Sequence, residues 1–299
     1  VTDTLAIEAV DLRKHYGGVE ALRGLSFSVP RGSICGFLGR NGAGKTTTIK
    51  ILLGMTRATS GRARLFDLVP DQEDAGVEIR RRTGFVSEDK DLYDSLSVAE
   101  MIRFTAGFFP NWRTDLEQRY LRRFALPLER RVKALSRGMR THLALLLALC
   151  RGADLLVLDE PTSGLDPAAA EDVLQTLVSH VAAEETTVFF SSHQIGEVDQ
   201  IGDHVVIIDA GRAVLSGALD DMRGRFRRVQ LVFEGDAPET LFRSPGVDRI
   251  LRRGRVLTVL SSAGVEAIVA EARGLDPLSV DVAPVTLKEI FLETVRLED

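Results

Sequence analysis

The run Gly39-Arg40-Asn41-Gly42-Ala43-Gly44-Lys45-Thr46-Thr47 constrains this chain more than any other stretch. It satisfies G-x-x-x-x-G-K-[ST] in full. Upstream, Ser33 to Leu38 is a short apolar run that predicts a buried strand. Downstream, Lys45 to about Leu53 predicts a helix. A strand, a glycine-rich turn and a helix start, in that order, make a cradle for an anion. Glycines let the backbone curl so that successive N–H groups face one point. The helix N-terminus adds favourable potential for negative charge. Lys45 then reaches the β- and γ-phosphates of a nucleotide, and the Thr46 hydroxyl offers an oxygen to magnesium. A chance lysine in a glycine-rich turn would lack these flanks.

The rest of the chain alternates in the same way. Leu155 to Leu158 and Thr187 to Ser191 are further apolar runs, read as buried parallel strands. Helical patterns such as Ala168 to Ala183 separate them. The expectation is an α/β fold with a mainly parallel sheet. Between Ser97 and Leu149 the pattern becomes mostly helical, broken at Pro110 and Pro127, and is read as an insertion. The pattern changes again near Met222-Arg223-Gly224. Beyond it, Arg228 to Phe233 and Val256 to Leu260 read as strands, and Gly264 to Arg273 and Thr286 to Val295 as helices. The expected division is therefore a nucleotide-binding domain over 1–222, with its helical part at about 97–150. A small α+β accessory domain over 225–299 follows it.

Leu155-Leu-Val-Leu-Asp159-Glu160-Pro161 is an apolar strand ending in two carboxylates. Strand ends of parallel sheets are where such folds build their sites. Asp159 is expected to hold magnesium, and Glu160 to polarise the attacking water as general base. A helix cap at a polar strand end is the competing role, weakened by the phosphate loop nearby.

Bulk properties narrow the partners. The net charge of -5 argues against bulk nucleic-acid binding, which needs basic surface. Cys35 and Cys150 sit in apolar runs without metal spacing, as buried reduced thiols would. No apolar stretch approaches the about 20 residues needed to span a bilayer, and no signal peptide opens the chain. A soluble, cytoplasmic protein is expected. Arg80-Arg81-Arg82 and Arg252-Arg253 are read as solvated faces.

With these motifs placed, Ala6 to Gly217 resembles the ABC ATPase cassette, a P-loop NTPase. The resemblance implies an N-terminal antiparallel β part beside the parallel core. It implies ATP on Gly39 to Thr47, with Tyr16 of His-Tyr-Gly-Gly stacked on adenine. Leu135-Ser136-Arg137-Gly138-Met139 looks like the signature loop that closes over ATP held by an opposite subunit. Arg137 stands there for a glycine and Met139 for a glutamine, while Ser136 and Gly138 keep the hydroxyl and the close backbone approach. Read without the resemblance, Ser136 is an ordinary helix cap. Ser163-Gly164-Leu165-Asp166 resembles the loop that crosses the dimer interface, and His193 of Ser191-Ser-His193 the histidine that senses the γ-phosphate. Glu88 departs from the family's glutamine. As an oxygen ligand it would join Thr46 and Asp159 at magnesium, and Glu88→Gln should then shift the magnesium dependence of hydrolysis.

The resemblance implies an ATP-hydrolysing subunit of an ABC transporter, with ATP and Mg2+ as cofactors. Two such cassettes, identical or not, would close on ATP and open after hydrolysis. Separate transmembrane permease subunits would hold them on the inner face of the cell membrane. Phe108, Phe109 and Trp112, beside the segment Asp89 to Val98, either line a groove for such a partner or fill the helical part's own core. The alternatives are soluble ABC ATPases acting on DNA or ribosomes. The former carry long heptad coils, which the short gap from Lys45 to Leu135 lacks; the latter usually fuse two cassettes with a basic linker. The tail is expected to regulate or stabilise the dimer.

Overall fold

The computed structural model describes residues 5–240 and 242–294. The chain forms two compact units, Val1–Ser216 and Gly217–Asp299.

The first unit opens with two long strands, β1 (Leu5–Tyr16) and β2 (Val19–Pro30). They pair antiparallel across Gly17-Gly18, where Tyr16 faces Val19. Two glycines suit so short a hairpin because its turn needs left-handed backbone; Gly17 has φ 56. Then come β3 (Ile34–Gly39), α1 (Lys45–Leu52) and β4 (Ser60–Leu65), the last pairing with the free edge of β1. The expected antiparallel part is thus the sheet β2-β1-β4.

The remaining elements are α2 (Glu73–Arg82), β5 (Thr83–Val86), α3 (Val98–Ala106), α4 (Thr114–Phe124), α5 (Arg137–Leu149), β6 (Leu155–Leu158), α6 (Pro167–Glu184), β7 (Thr187–Ser192), α7 (Ile195–Ile201), β8 (His204–Asp209) and β9 (Arg212–Ala218). The main sheet runs β5-β6-β7-β3-β8-β9, and its pairs from β5 to β8 are parallel. Every residue of β3, β6 and β7 is buried, as their continuous apolar runs require. Phe27 of β2 stacks on Phe189 of β7 at 5.8 Å, and Phe37 of β3 lies 5.0 Å from Phe189. These rings join the antiparallel sheet to the parallel one. Each buried ring contributes about 1.5–3 kcal/mol by leaving water. The order β6-β7-β3 has a functional result. It sets the C-terminal ends of three strands side by side, those that carry Asp159, His193 and the phosphate loop.

The helical insertion appears as α3, α4 and α5. Ser97 and Glu100 form a capping box that starts α3. α4 turns Leu116, Tyr120 and Phe124 inward, and α5 buries Leu143 to Leu149. His180 of α6 is buried, with Nδ1 3.0 Å from the Tyr120 hydroxyl and Nε2 3.4 Å from Thr186 Oγ1. Burial pushes its pKa from 6.5 down to about 4, against the upward pull of Glu184. The unfolded chain therefore binds this proton more readily, so stability rises with pH across that interval. Neutral His180 supports the fold fully above pH 6.5, and this support is lost as pH falls toward 4. The melting temperature of His180→Gln should fall less between those pH values than that of the parent; parallel slopes would refute this.

The second unit begins with α8 (Leu219–Arg225), so the sequence change seen near Met222-Arg223-Gly224 lies within a helix. It continues with β10 (Arg227–Val232), β11 (Val247–Arg253), β12 (Val256–Ser261), α9 (Val265–Arg273), β13 (Ser279–Pro284) and α10 (Leu287–Thr294). The expected final helix residue, Val295, lies outside the described residues. The strands form an antiparallel sheet β11-β12-β10-β13. One face packs Val229, Leu231, Leu257 and Val259 against Ile268 and Ala272 of α9. β11 and β13 carry mixed, half-exposed residues, which left no alternation to read. Thr286 and Glu289 cap α10 reciprocally, and Glu289 also pairs with Arg228 of β10 at 2.8 Å.

Among the described residues, no helix is long and apolar enough to cross a membrane. Both cysteines are free and buried, and burial raises both thiol pKa values well above the usual range.

Candidate nucleotide site

The phosphate loop leaves the end of β3 and enters α1 as its motif predicts. Gly44 has φ 110 and caps α1. A Cβ there would lie 2.7 Å from the Leu22 side chain and 3.0 Å from the Ala21 carbonyl oxygen, so only glycine fits. Lys45 is buried; its Nζ donates to the Gly39 carbonyl at 2.8 Å.

The same ammonium stands 3.1 Å from Glu160 Oε1. This is an ion pair without an aligned hydrogen bond to that oxygen. The other oxygen, Glu160 Oε2, lies 2.8 Å from His193 Nδ1. Two buried charges thus offset each other's desolvation. Glu160 itself has φ 47, a left-handed backbone that a non-glycine residue adopts at a cost of about 1–3 kcal/mol. Its peptide is fastened on both sides. Its N–H donates to Ser191 Oγ at 2.9 Å, and its carbonyl accepts from Lys90 Nζ at 3.1 Å.

Asp159 is buried one residue earlier. It accepts from Thr46 Oγ1 at 3.0 Å and from Ser191 Oγ at 2.6 Å. The Thr46–Asp159 contact brings two hard oxygen donors together at the mouth of the loop. Among the described residues, no group of three or more His, Cys, Asp or Glu is arranged to hold a metal ion. A cation here would therefore complete its shell from phosphate and water oxygens. That suits magnesium, which keeps several waters and takes one or two carboxylates.

A cavity of about 460 Å³ opens over these groups. Arg40, Asn41, Gly42, Gly44, Lys45, Thr46 and Thr47 line it, with Glu88, Glu160, Ser163, His193 and Ala21. Ala43 is buried behind the loop, and its N–H bonds the Arg40 carbonyl at 3.1 Å. Tyr16 is not among the lining residues. It is 46% exposed at the β1 hairpin, with Lys14 Nζ 4.8 Å from its ring centre.

Of the two further sequence-predicted loops, 136–139 does not line the cavity, while 163–166 reaches it through Ser163. Ser136 caps α5, its hydroxyl accepting from Met139 N at 3.2 Å. Ser136 and Arg137 are exposed, and Gly138 and Met139 half-buried. Arg137 reaches the second loop. A Cβ at Gly164 would lie 2.1 Å from the Arg137 guanidinium carbon, so the two residues are in direct contact. Leu165 N bonds the Thr162 carbonyl at 3.1 Å, and Asp166 caps α6 by accepting from Ala168 and Ala169.

Phe108 is 66% exposed, while Phe109 and Trp112 are half-buried. Phe109 lies under the Arg151 guanidinium at 3.9 Å, and Trp112 Nε1 donates to Glu117 at 2.6 Å. Tyr93, Phe104 and Phe108 form an exposed edge-to-face ladder with spacings of 5.3 and 5.1 Å.

Sequence reasoning gave no role to two residues that fasten the Glu160 peptide. Ser191 was visible only as part of Ser191-Ser-His193. Lys90 sits in the charged run Glu88-Asp89-Lys90-Asp91, where nothing in the sequence sets it apart from its neighbours.

A family model described as ABC transporter matches residues 22–163. The bacitracin transport ATP-binding protein of Bacillus licheniformis is 30% identical over 300 residues, covering 97% of each chain. The chain belongs to the ABC transporter family. A fluoroquinolone export ATP-binding protein of Mycobacterium tuberculosis is 31% identical, over 94% of this chain and 93% of its own. The solved structure of an ABC transporter ATP-binding subunit matches with a TM-score of 0.66 at 29% identity. It covers 73% of this chain and 92% of that chain. This ABC cassette binds ATP and hydrolyses it as the ATP-binding subunit of a transporter.

Proposed function

We propose that Lys45, Glu160 and His193 are the working groups of this ABC cassette. The observation that carries this is their convergence on one cavity, with contacts of 2.8 and 3.1 Å around a single carboxylate. Incoming β- and γ-phosphates offer the Lys45 ammonium stronger acceptors than Glu160. Glu160 Oε1, which accepts no aligned hydrogen bond, is then free to take a proton from the attacking water. His193 holds the other oxygen, lines the same cavity and would contact the γ-phosphate. The backbone N–H groups of Gly39 to Thr47 and the ammonium stabilise charge on the transferred group. Thr46 and Asp159, with Glu88 at the cavity wall, would hold magnesium, which supplies charge neutralisation at the phosphates.

Ser136 to Met139 lie outside the cavity of their own chain, which supports their acting on ATP held by a second cassette. Ser163 lines the cavity and Gly164 touches Arg137, which suits a loop at such an interface. Membrane partners would be separate permease subunits that keep this chain peripheral to the membrane. A groove of about 270 Å³, lined by Phe85, Leu92, Ala144 and Leu147 together with Lys90, Asp91 and Arg151, suits a segment of such a partner that carries both apolar and polar side chains. The exposed ladder of Tyr93, Phe104 and Phe108 adds aromatic surface of the kind enriched in interface cores. The fluoroquinolone export relative makes outward transport the direction to examine first. The second unit is read as an accessory domain that stabilises or regulates the dimer.

The deciding experiment is purification of the Glu160→Gln chain from its native cells in mild detergent with ATP present. A co-purifying multi-span membrane protein is the expected result. Ribosomes or DNA without any membrane protein would overturn the transport reading.

A further inference from the structure

Lys90 is turned the wrong way for its surroundings. Its neighbours Glu88, Asp89 and Asp91 are all exposed, yet the Lys90 side chain is buried, with 5% exposure. Its backbone is left-handed, φ 49, which adds a conformational cost of about 1–3 kcal/mol. Burying an ammonium also costs several kcal/mol unless it is well paired. The described hydrogen bond of the ammonium is a single one, to the Glu160 carbonyl. That carbonyl does not need it, because Ser163 N already donates there at 3.2 Å. A methionine would fill the same space without a buried charge. Satisfying a buried acceptor therefore does not account for the lysine.

Position does account for it. The Glu160 peptide is gripped from two directions. Ser191 of β7 takes its N–H, and Lys90, from the loop after β5, takes its carbonyl. Between these grips sits the left-handed φ that points one carboxylate oxygen at Lys45 and the other at His193. We propose that Lys90 is a positioning residue, whose bond to the Glu160 carbonyl fixes the direction of the carboxylate that activates water. This rests on the role given to Glu160 above. It also makes the loop that bears Glu88 and Tyr93 a lever on that carboxylate, since a displaced Lys90 would drag or release the Glu160 peptide.

The test uses the purified full chain in three forms: parent, Lys90→Met and Lys90→Arg. Steady-state hydrolysis gives kcat and KM, titration with a fluorescent ATP analogue gives Kd, and hydrogen exchange follows the Ser163 amide. Lys90→Met should lower kcat at least about tenfold, equal to about 1.4 kcal/mol at the barrier. KM and Kd should stay within about twofold, and the Ser163 amide should exchange faster. Lys90→Arg, which keeps a donor, should recover most of the missing kcat. In a Glu160→Gln background, Lys90→Met should remove little of the residual rate, because both changes act on one group. A kcat within twofold of the parent would overturn the proposal. So would parallel loss of kcat and ATP binding, or a Lys90→Met chain that does not fold, since the lysine would then hold up the fold at large. If Glu160→Gln itself keeps full turnover, the role of Glu160 fails. The exchange of the Ser163 amide still reports on the Lys90 grip in that case.

Discussion

Glu160→Gln should lower turnover by about 100-fold or more while ATP binding stays within about threefold, because general base catalysis typically contributes 10²–10⁴. Glutamine keeps the length and a polar contact to His193, but it cannot accept the proton from water. The change also dissolves the ion pair with Lys45, which stands 3.1 Å away. The freed ammonium keeps its bond to the Gly39 carbonyl and becomes more available to phosphate. ATP should therefore raise the melting temperature of Glu160→Gln more than that of the parent. Single-turnover hydrolysis and a thermal melt with and without ATP check both points. A turnover within tenfold of the parent would remove Glu160 from its assigned place.

Lys45→Met should act in the opposite direction, on binding first. The ammonium is the buried cation of the cavity floor, and its removal deletes charge-assisted bonds of about 1.5–3 kcal/mol each. With the ammonium on both the β- and the γ-phosphate, as its proposed role requires, ATP affinity should fall by about 100-fold or more. The ATP-free chain should be destabilised too, because Glu160 is left without the cation that offsets its burial. Titration with nucleotide well below the melting temperature separates the two effects. An unchanged Kd would show that the loop amides alone hold the phosphates.

Much of the fold could be read from the chain because its strongest signals are local. The apolar runs at 34–39, 155–158 and 187–192 have lengths and compositions that fit buried parallel strands. The phosphate loop carries its own context. β11 and β13 escaped because a small sheet covered on one side lets half-exposed strands lose their alternation. α8 escaped because Gly224 near its end reads as a break. In the site, Tyr16 was expected at the cavity but does not line it, and the residues that do line it were, except Ala21, legible from motifs. Their fastening was not. Ser191 bonds Asp159 from a neighbouring strand, and Lys90 bonds Glu160 from 70 positions away. Hydrogen bonds of that range leave no periodicity in a single sequence. Arg137 was visible as a departure, but its landing place on Gly164 needed coordinates.

That landing place leaves position 164 governed by its backbone more than by its neighbour. The guanidinium fills the volume that a Cβ at position 164 would take, and Gly164 is left-handed as well, φ 67. Shortening residue 137 would open this space, but the backbone would still exclude most side chains at 164. Arg137 is exposed and its guanidinium is the free end of a flexible side chain, so it can swing aside; the turn at 164, which asparagine or aspartate tolerates best, is the firmer limit. The two loops can therefore change in either order, and the left-handed turn, not the arginine, sets which residues position 164 accepts.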